Sequence, residues 1–349
     1  MQHTTIAVDL AKSVFQVAVS HRPGHVDHER RLSRSRFLPY LAQQPPALVL
    51  LEACGSAHYW ARELQRVGHR VRLLPAHDEH RYVRRNKTDR TDTKALLEAD
   101  RNEEIHAVPV KTVDQQAVAS LHRLRSTWLA TRTARLNTLR GLLREFGVTI
   151  PVGAHHVVPH VRAVLDGDAT PLPTVIRATL TSTCEEVRQL EANIRGVERQ
   201  LAALAPQMPD VTLLLTVPGI GLLTATALVA LVGDIRRFPS AREFASYLGL
   251  TPKEDSTGPR RRPGAISKQG DVYLRMLLVH GARSLLCHAK AARQPTALPQ
   301  PALRTEQRRG HNIAAVAVAN KLARIAWAVW TAQRPFVARP PESADATTI

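Results

Sequence analysis

Apolar and polar positions follow two different rhythms along this chain. Over the first 74 residues the apolar positions come in short runs rich in Val, Ile and Leu, at 4–10, 14–20 and 47–51. Runs of that length, bounded by polar or turn-forming residues, read as buried strands. Arg22-Pro23-Gly24 turns the chain into a third, polar strand at 26–32. Residues 35–44 read as a helix broken by Pro45-Pro46. A helix at 57–67 ends on Gly68, a natural C-cap, ahead of a fifth strand at 70–74. The resulting order is three strands, helix, strand, helix, strand, helix. That is the order of a ribonuclease-H-like α/β fold, in which the first and fourth strands lie side by side.

Beyond residue 110 the rhythm becomes helical. Residues 112–146 form one long Leu/Arg pattern, 147–173 a broken Pro/Gly/His-containing connection, and 174–204 a second long helix with Val187, Leu190, Ile194, Val197 and Leu201 at three-to-four spacing. The two helices predict an antiparallel arm, either a helical subdomain or a dimerising coiled coil. In 211–250 the element VPGIG sits between two apolar helical segments. Gly219 and Gly221 there would let a backbone approach a phosphate, in the manner of a helix-hairpin-helix. A plain packing corner between helices is the alternative. Residues 251–270 read as a basic Gly/Pro loop, followed by a helix from 272, a mobile Pro-rich stretch at 289–310 and a last apolar helix at 312–333. With 349 residues the chain exceeds one core. The expected divisions are an α/β domain (1–108), a helical arm (109–206), an all-α C-terminal domain (207–335) and a disordered tail (336–349).

Charge adds a partner to this outline. Lys and Arg number 48 against 30 Asp and Glu, a formal net charge of +18. Codon bias explains Arg in place of Lys but not the net excess, so a polyanion, most simply nucleic acid, is expected. Three scattered cysteines, Cys54, Cys184 and Cys287, argue against a disulfide framework or a structural zinc site and fit a reducing cytoplasm. The first residues lack a signal-peptide pattern, and no run of about 18 uninterrupted apolar residues predicts a membrane span.

Four carboxylates stand out against this basic background. Asp9 and Glu52 close two of the apolar runs, and Asp89 and Asp92 lie three apart on one helical face in NKTDRTDTKALLEA. Pairing of the first and fourth strands would bring Asp9 and Glu52 to one sheet edge, with the Asp89/Asp92 helix closing over them. Acids gathered at strand ends are costly unless a cation is held among them. Hard divalent cations take oxygen ligands, and two Mg²⁺ ions about 4 Å apart can neutralise both the attacking and the leaving oxygen of a phosphodiester. Turn capping, an Arg partner or a helix-dipole position are the dull alternatives for each acid taken singly. Lys87 and Arg90, among the arginines Arg81, Arg84 and Arg85, would steer nucleic acid toward the acids. Arg260, Arg261, Arg262 and Lys268 make a second basic stretch. Beside it, Ser256 and Thr257 offer hydroxyls that could attack phosphorus if activated, although most loop hydroxyls only form turns.

These residues carry a resemblance. DLAK, LLEACG and NKTDRTDTKALLEA look like the DEDD, RuvC-like domain of IS110-family insertion-sequence transposases and the related Piv-type DNA invertases. The stretch from VPGIG to VHGAR resembles that family's second domain, closest in wording to the IS1111 subgroup. The match runs from about residue 4 to 335. It implies a bacterial, cytoplasmic, nucleoid-associated recombinase. In it Asp9, Glu52, Asp89 and Asp92 hold Mg²⁺ (Mn²⁺ as the alternative) and a C-terminal serine attacks DNA. It also implies donor and target DNA, a guiding bridge RNA and a homo-oligomer, dimer or tetramer, as partners. The family commonly places its serine directly before the glycine. Here that position is Thr257, with Ser256 one residue earlier; a primary hydroxyl is less hindered and the subgroup often shows two hydroxyl residues here, so Ser256 is the candidate nucleophile and Thr257 its rival. A metal-dependent nuclease using water and a non-catalytic nucleic-acid-binding protein are the competing readings.

Overall fold

The computed structural model describes residues 4–22, 25–76, 89–167, 172–254, 262–291 and 300–337. It divides into two compact units, Met1–Gln115 with Val232–Arg237, and Gln116–Leu231 with Phe238–Ile349.

In the first unit β1 (Thr5–Leu10), β2 (Val14–Ser20) and β3 (His28–Ser33) lead to α1 (Arg34–Ala42), β4 (Leu48–Glu52), α2 (Ala57–Arg66), β5 (Arg70–Leu74) and α3 (Asp89–Asp100). The mixed sheet has the order β3-β2-β1-β4-β5. β1 is antiparallel to β2 and parallel to β4, so the first and fourth strands are neighbours as expected. Alternation along each strand sorts side chains onto two faces. Ile6, Val8, Val49 and Leu51 join Phe37, Trp60 and Leu64 of α1 and α2 in one core. Ala7, Leu50 and Leu74 point the other way and meet Leu96, Leu97 and Ala99 of α3. Each such Leu or Val, taken fully from water, contributes about 1.5–3 kcal/mol.

Phe15, Phe37 and Trp60 lie edge to face, with centroids 4.8–5.2 Å apart. Buried His69 ties the layers at the other end: its Nδ1 accepts from the Ala47 amide and its Nε2 donates to the Leu41 carbonyl.

Among its described residues the second unit has helices and a two-stranded ribbon as its regular elements. Its long helices α4 (Val113–Glu145) and α6 (Thr174–Leu204) run antiparallel, since Arg125, Arg132 and Arg135 pair with Glu198, Glu191 and Glu186 in falling order. Leu136, Leu139 and Leu143 meet Leu180, Cys184 and Val187. The connection between them is more ordered than the sequence suggested. It contains α5 (Val157–Asp166), because Val157 and Val161 complete the same cluster.

α7 (Pro209–Leu214), α8 (Leu222–Val232) and α9 (Ala241–Tyr247) follow. The polar stretch after them is no simple loop: β6 (Pro252–Glu254) pairs with β7 (Pro263–Ile266). α10 (Val272–Ala291) extends past the expected end, and α11 (Gln300–Arg309) occupies part of the stretch expected to be mobile. Glu306 explains the order there, since it binds Lys290 of α10 and His311 at the start of α12 (His311–Ala332).

By length and composition α12 could cross a membrane. Here it is the central helix of its unit, burying Val318, Leu322, Ala326 and Trp330 and packing on α7, α9, α10 and α11. The expected tail, from 338 onward, lies outside the described residues.

Candidate active site

The carboxylates are placed by strand register. Val8 pairs with Leu51 in the parallel β1–β4 ladder, so Asp9 and Glu52 follow side by side at the carboxyl ends of neighbouring strands. Both share the face of Ala7 and Leu50, the face that α3 covers. Both are partly buried. Asp92 lies in the first turn of α3 and is only 7% exposed, next to fully buried Thr93. Asp89 opens that helix; its side chain, with those of Lys87 and Arg90, lies outside the described residues, as do Arg81, Arg84 and Arg85.

Among the described residues no three His, Cys, Asp or Glu side chains converge into a metal-holding cluster. The donor set still suits a hard divalent cation, because Asp9 and Glu52, partly buried on the sheet face that α3 covers, and buried Asp92 of α3 are all oxygen donors.

Two further residues belong to this face. Gln16 is the cross-strand partner of Asp9, is 7% exposed, and pairs in turn with Arg31 on β3. The β1–β2 hairpin register predicts that neighbour, and sequence reading overlooked it because a lone Gln carries no charge signal. Arg72 on β5 holds the end of α3, donating to the Asp100 carboxylate and to the Ile105 carbonyl. It therefore fixes the helix that carries Asp92, a tertiary role that nothing in its local sequence announces.

In the second unit, Ser256, Thr257, Arg260 and Arg261 lie outside the described residues. Arg262 and Lys268 are exposed, and Lys268 adopts a left-handed backbone with φ 56°. The close approach that Gly219 permits is to the protein itself. A Cβ there would meet Leu285 at 3.0 Å and Leu322 at 3.2 Å, and one on Gly281 of α10 would meet the Gly219 carbonyl at 2.0 Å. Gly221 faces open space, one residue before α8.

A buried polar chain joins α4, α8 and α10. His122 contacts the Tyr273 hydroxyl through Nδ1 and the Thr226 hydroxyl through Nε2, both at 2.9 Å. Burial, with a smaller push from Arg125, lowers the His122 imidazole to about 4.

A transposase model of the DEDD IS110 type matches residues 6–148, and a model of the IS116/IS110/IS902 transposase family matches residues 211–297. A protein of Pseudomonas aeruginosa named "Probable family 20 transposase" is 44% identical over 331 residues, covering 94% of this chain and 97% of that protein. The chain belongs to the IS110 family of transposases. This transposase is also 36% identical to the transposase for insertion sequence element IS1111A of Coxiella burnetii, over 95% of this chain and 90% of that one. The pilin gene-inverting protein of Moraxella lacunata is a more distant relative, 30% identical over 160 residues, 44% of this chain and 48% of that one. The substrate of the family's enzymes is DNA, and the DEDD domain implies dependence on a divalent metal.

Proposed function

We propose that this transposase cuts and rejoins the DNA ends of an insertion sequence through a serine nucleophile, Ser256, acting with Asp9, Glu52, Asp89 and Asp92 on one phosphodiester. The observation that carries the reading is the parallel register that sets Asp9 beside Glu52 beneath the Asp92 helix. This placement supports the reading of a RuvC-like, ribonuclease-H-like domain with its carboxylates at the ends of neighbouring strands. The four acids would hold Mg²⁺, which when bound supplies charge neutralisation at the reacting phosphate.

In the step itself the Ser256 oxygen loses its proton and forms a bond to phosphorus. The bond from phosphorus to the departing deoxyribose oxygen breaks, and that oxygen takes up a proton. The covalent phosphoserine keeps the bond energy needed to rejoin strands, which hydrolysis would lose. Gly221, ahead of α8, and the basic residues Arg260, Arg261, Arg262 and Lys268 would hold the DNA backbone, as would Lys87 and Arg90 near the acids. A net charge of +18 also suits a second polyanion, a bridge RNA that pairs with donor and target DNA, and recombination of two ends calls for a dimer or tetramer.

A trapping assay tests this reading. Protein, Mg²⁺, RNA transcribed beside the gene and labelled element-end DNA are combined and resolved under denaturing conditions. A DNA-linked protein band is expected, absent in Ser256→Ala and in Asp9→Asn. Loss in Thr257→Ala alone would move the nucleophile by one residue. Cut DNA without any adduct would instead establish a nuclease that uses water.

A further inference from the structure

The second unit carries a groove that the chemistry above leaves unused. It follows one side of α10, has a volume of about 250 Å³, and begins at Ile266 and Lys268 at the end of the β6–β7 ribbon. Val272, Met276 and Val279 recur at helical spacing along its floor, and Val272 and Met276 are 70% and 42% exposed. Lys268, Arg275 and Arg283 stand along its rim, and His280 adds a ring.

Arg275 gives one donor to the Leu248 carbonyl, and Arg283 gives one to the Asn312 side chain. Each guanidinium keeps further donors for a ligand. Among the described residues none of the three cations has an acidic partner. Gly249 and Gly270 hold the backbone beside Lys268 in place, because a Cβ on either would run into backbone at 2.2 Å or less, and Lys268 donates its amide to the Gly249 carbonyl.

We infer that this groove seats one unpaired nucleotide of the DNA strand being exchanged, its phosphates on Lys268, Arg275 and Arg283 and its base on Met276 and Val279. Charge decides the class of partner: a rim of Lys268, Arg275 and Arg283, with no acidic partner among the described residues, suits a polyanion. The apolar floor decides the state of the strand. A duplex presents phosphates and sugars outward and keeps its base faces stacked, so it cannot cover aliphatic side chains, whereas a splayed base can. The volume lies below that of a site for a drug-sized ligand and suits a single base. Position favours DNA, since the groove opens within about ten residues of Ser256 and Thr257. To that extent the inference rests on the proposed function.

Photocrosslinking of the full-length protein tests it without metal or cleavage. A single-stranded oligothymidylate carrying 5-iododeoxyuridine is irradiated with the protein, and the attached peptide is identified by mass spectrometry. Attachment between Ile266 and Arg283 is expected, competed by unlabelled single-stranded DNA and not by duplex. Met276→Glu should lower the yield about tenfold, the effect of losing one base contact. Arg283→Gln, at an exposed position, should lower it as well, with circular dichroism unchanged. Asp9→Asn, expected to form no adduct in the trapping assay, should crosslink normally, so that failure of the chemistry and failure of the groove are told apart. Attachment elsewhere, equal competition by duplex, stronger competition by single-stranded RNA, or indifference to both groove variants would overturn the inference.

Discussion

At the scale of single residues, burial decides more than residue type. Asp9 and Glu52 were legible because each closes an apolar run, but Gln16 becomes visible only through the register that sets it opposite Asp9. Gln16→Leu, close in volume, should fold normally and lower adduct formation at least about tenfold, as loss of a neighbour to a metal-binding group commonly does; an unchanged rate would remove Gln16 from the site. His122 makes a pH prediction. Folded His122 stays neutral down to about 4, while an exposed imidazole protonates near 6.5. As pH falls the unfolded chain binds its proton first, so stability is complete above about 6.5 and is lost between 6.5 and 4. The loss is at most about 3 kcal/mol for this group. Urea midpoints at pH 7 and pH 5 should therefore differ more for the natural protein than for His122→Gln.

At the scale of elements, close backbone contacts hold the second unit together. Gly281→Ala drives a methyl group into the Gly219 carbonyl, and α10 must shift from the VPGIG turn at a cost of about 2–3 kcal/mol. Chemical denaturation measures that loss, and Gly221→Ala, which meets open space, serves as the contrast. The α4–α6 pair makes a milder prediction. Arg125 is well buried against Glu198 at 2.7 Å. A double-mutant cycle with Arg125→Met and Glu198→Gln should give a coupling of about 1 kcal/mol that shrinks in high salt.

At the scale of the whole molecule, charge is the dominant property. A chain at +18 that neutralises several phosphates releases their counterions. Affinity for duplex DNA should fall at least about tenfold between 50 and 200 mM salt, read by fluorescence anisotropy. A flat salt response would mean that the excess charge lies away from the nucleic acid.

The order of strands and helices along the chain, the parallel neighbours β1 and β4, the long helices and the placing of Asp9 and Glu52 at the ends of neighbouring strands were readable from sequence. Period-two and helical rhythms, proline breaks and strand-end acids are local signals that survive without the fold. Family membership was readable too, from DLAK, LLEACG and NKTDRTDTKALLEA. Tertiary structure alone decided which face of the sheet bears the acids and that Arg72 pins the helix above them. It alone showed that Gly219 packs against Gly281, that α5 and α11 fold within apparent connections, and that α10 carries a cationic groove. The groove is lined by one stretch, Ile266 to Arg283, and needed the structure only to show which of its side chains stay uncovered; the others depend on residues far apart in the chain becoming neighbours, and a one-dimensional pattern records spacing along the backbone but not proximity across it.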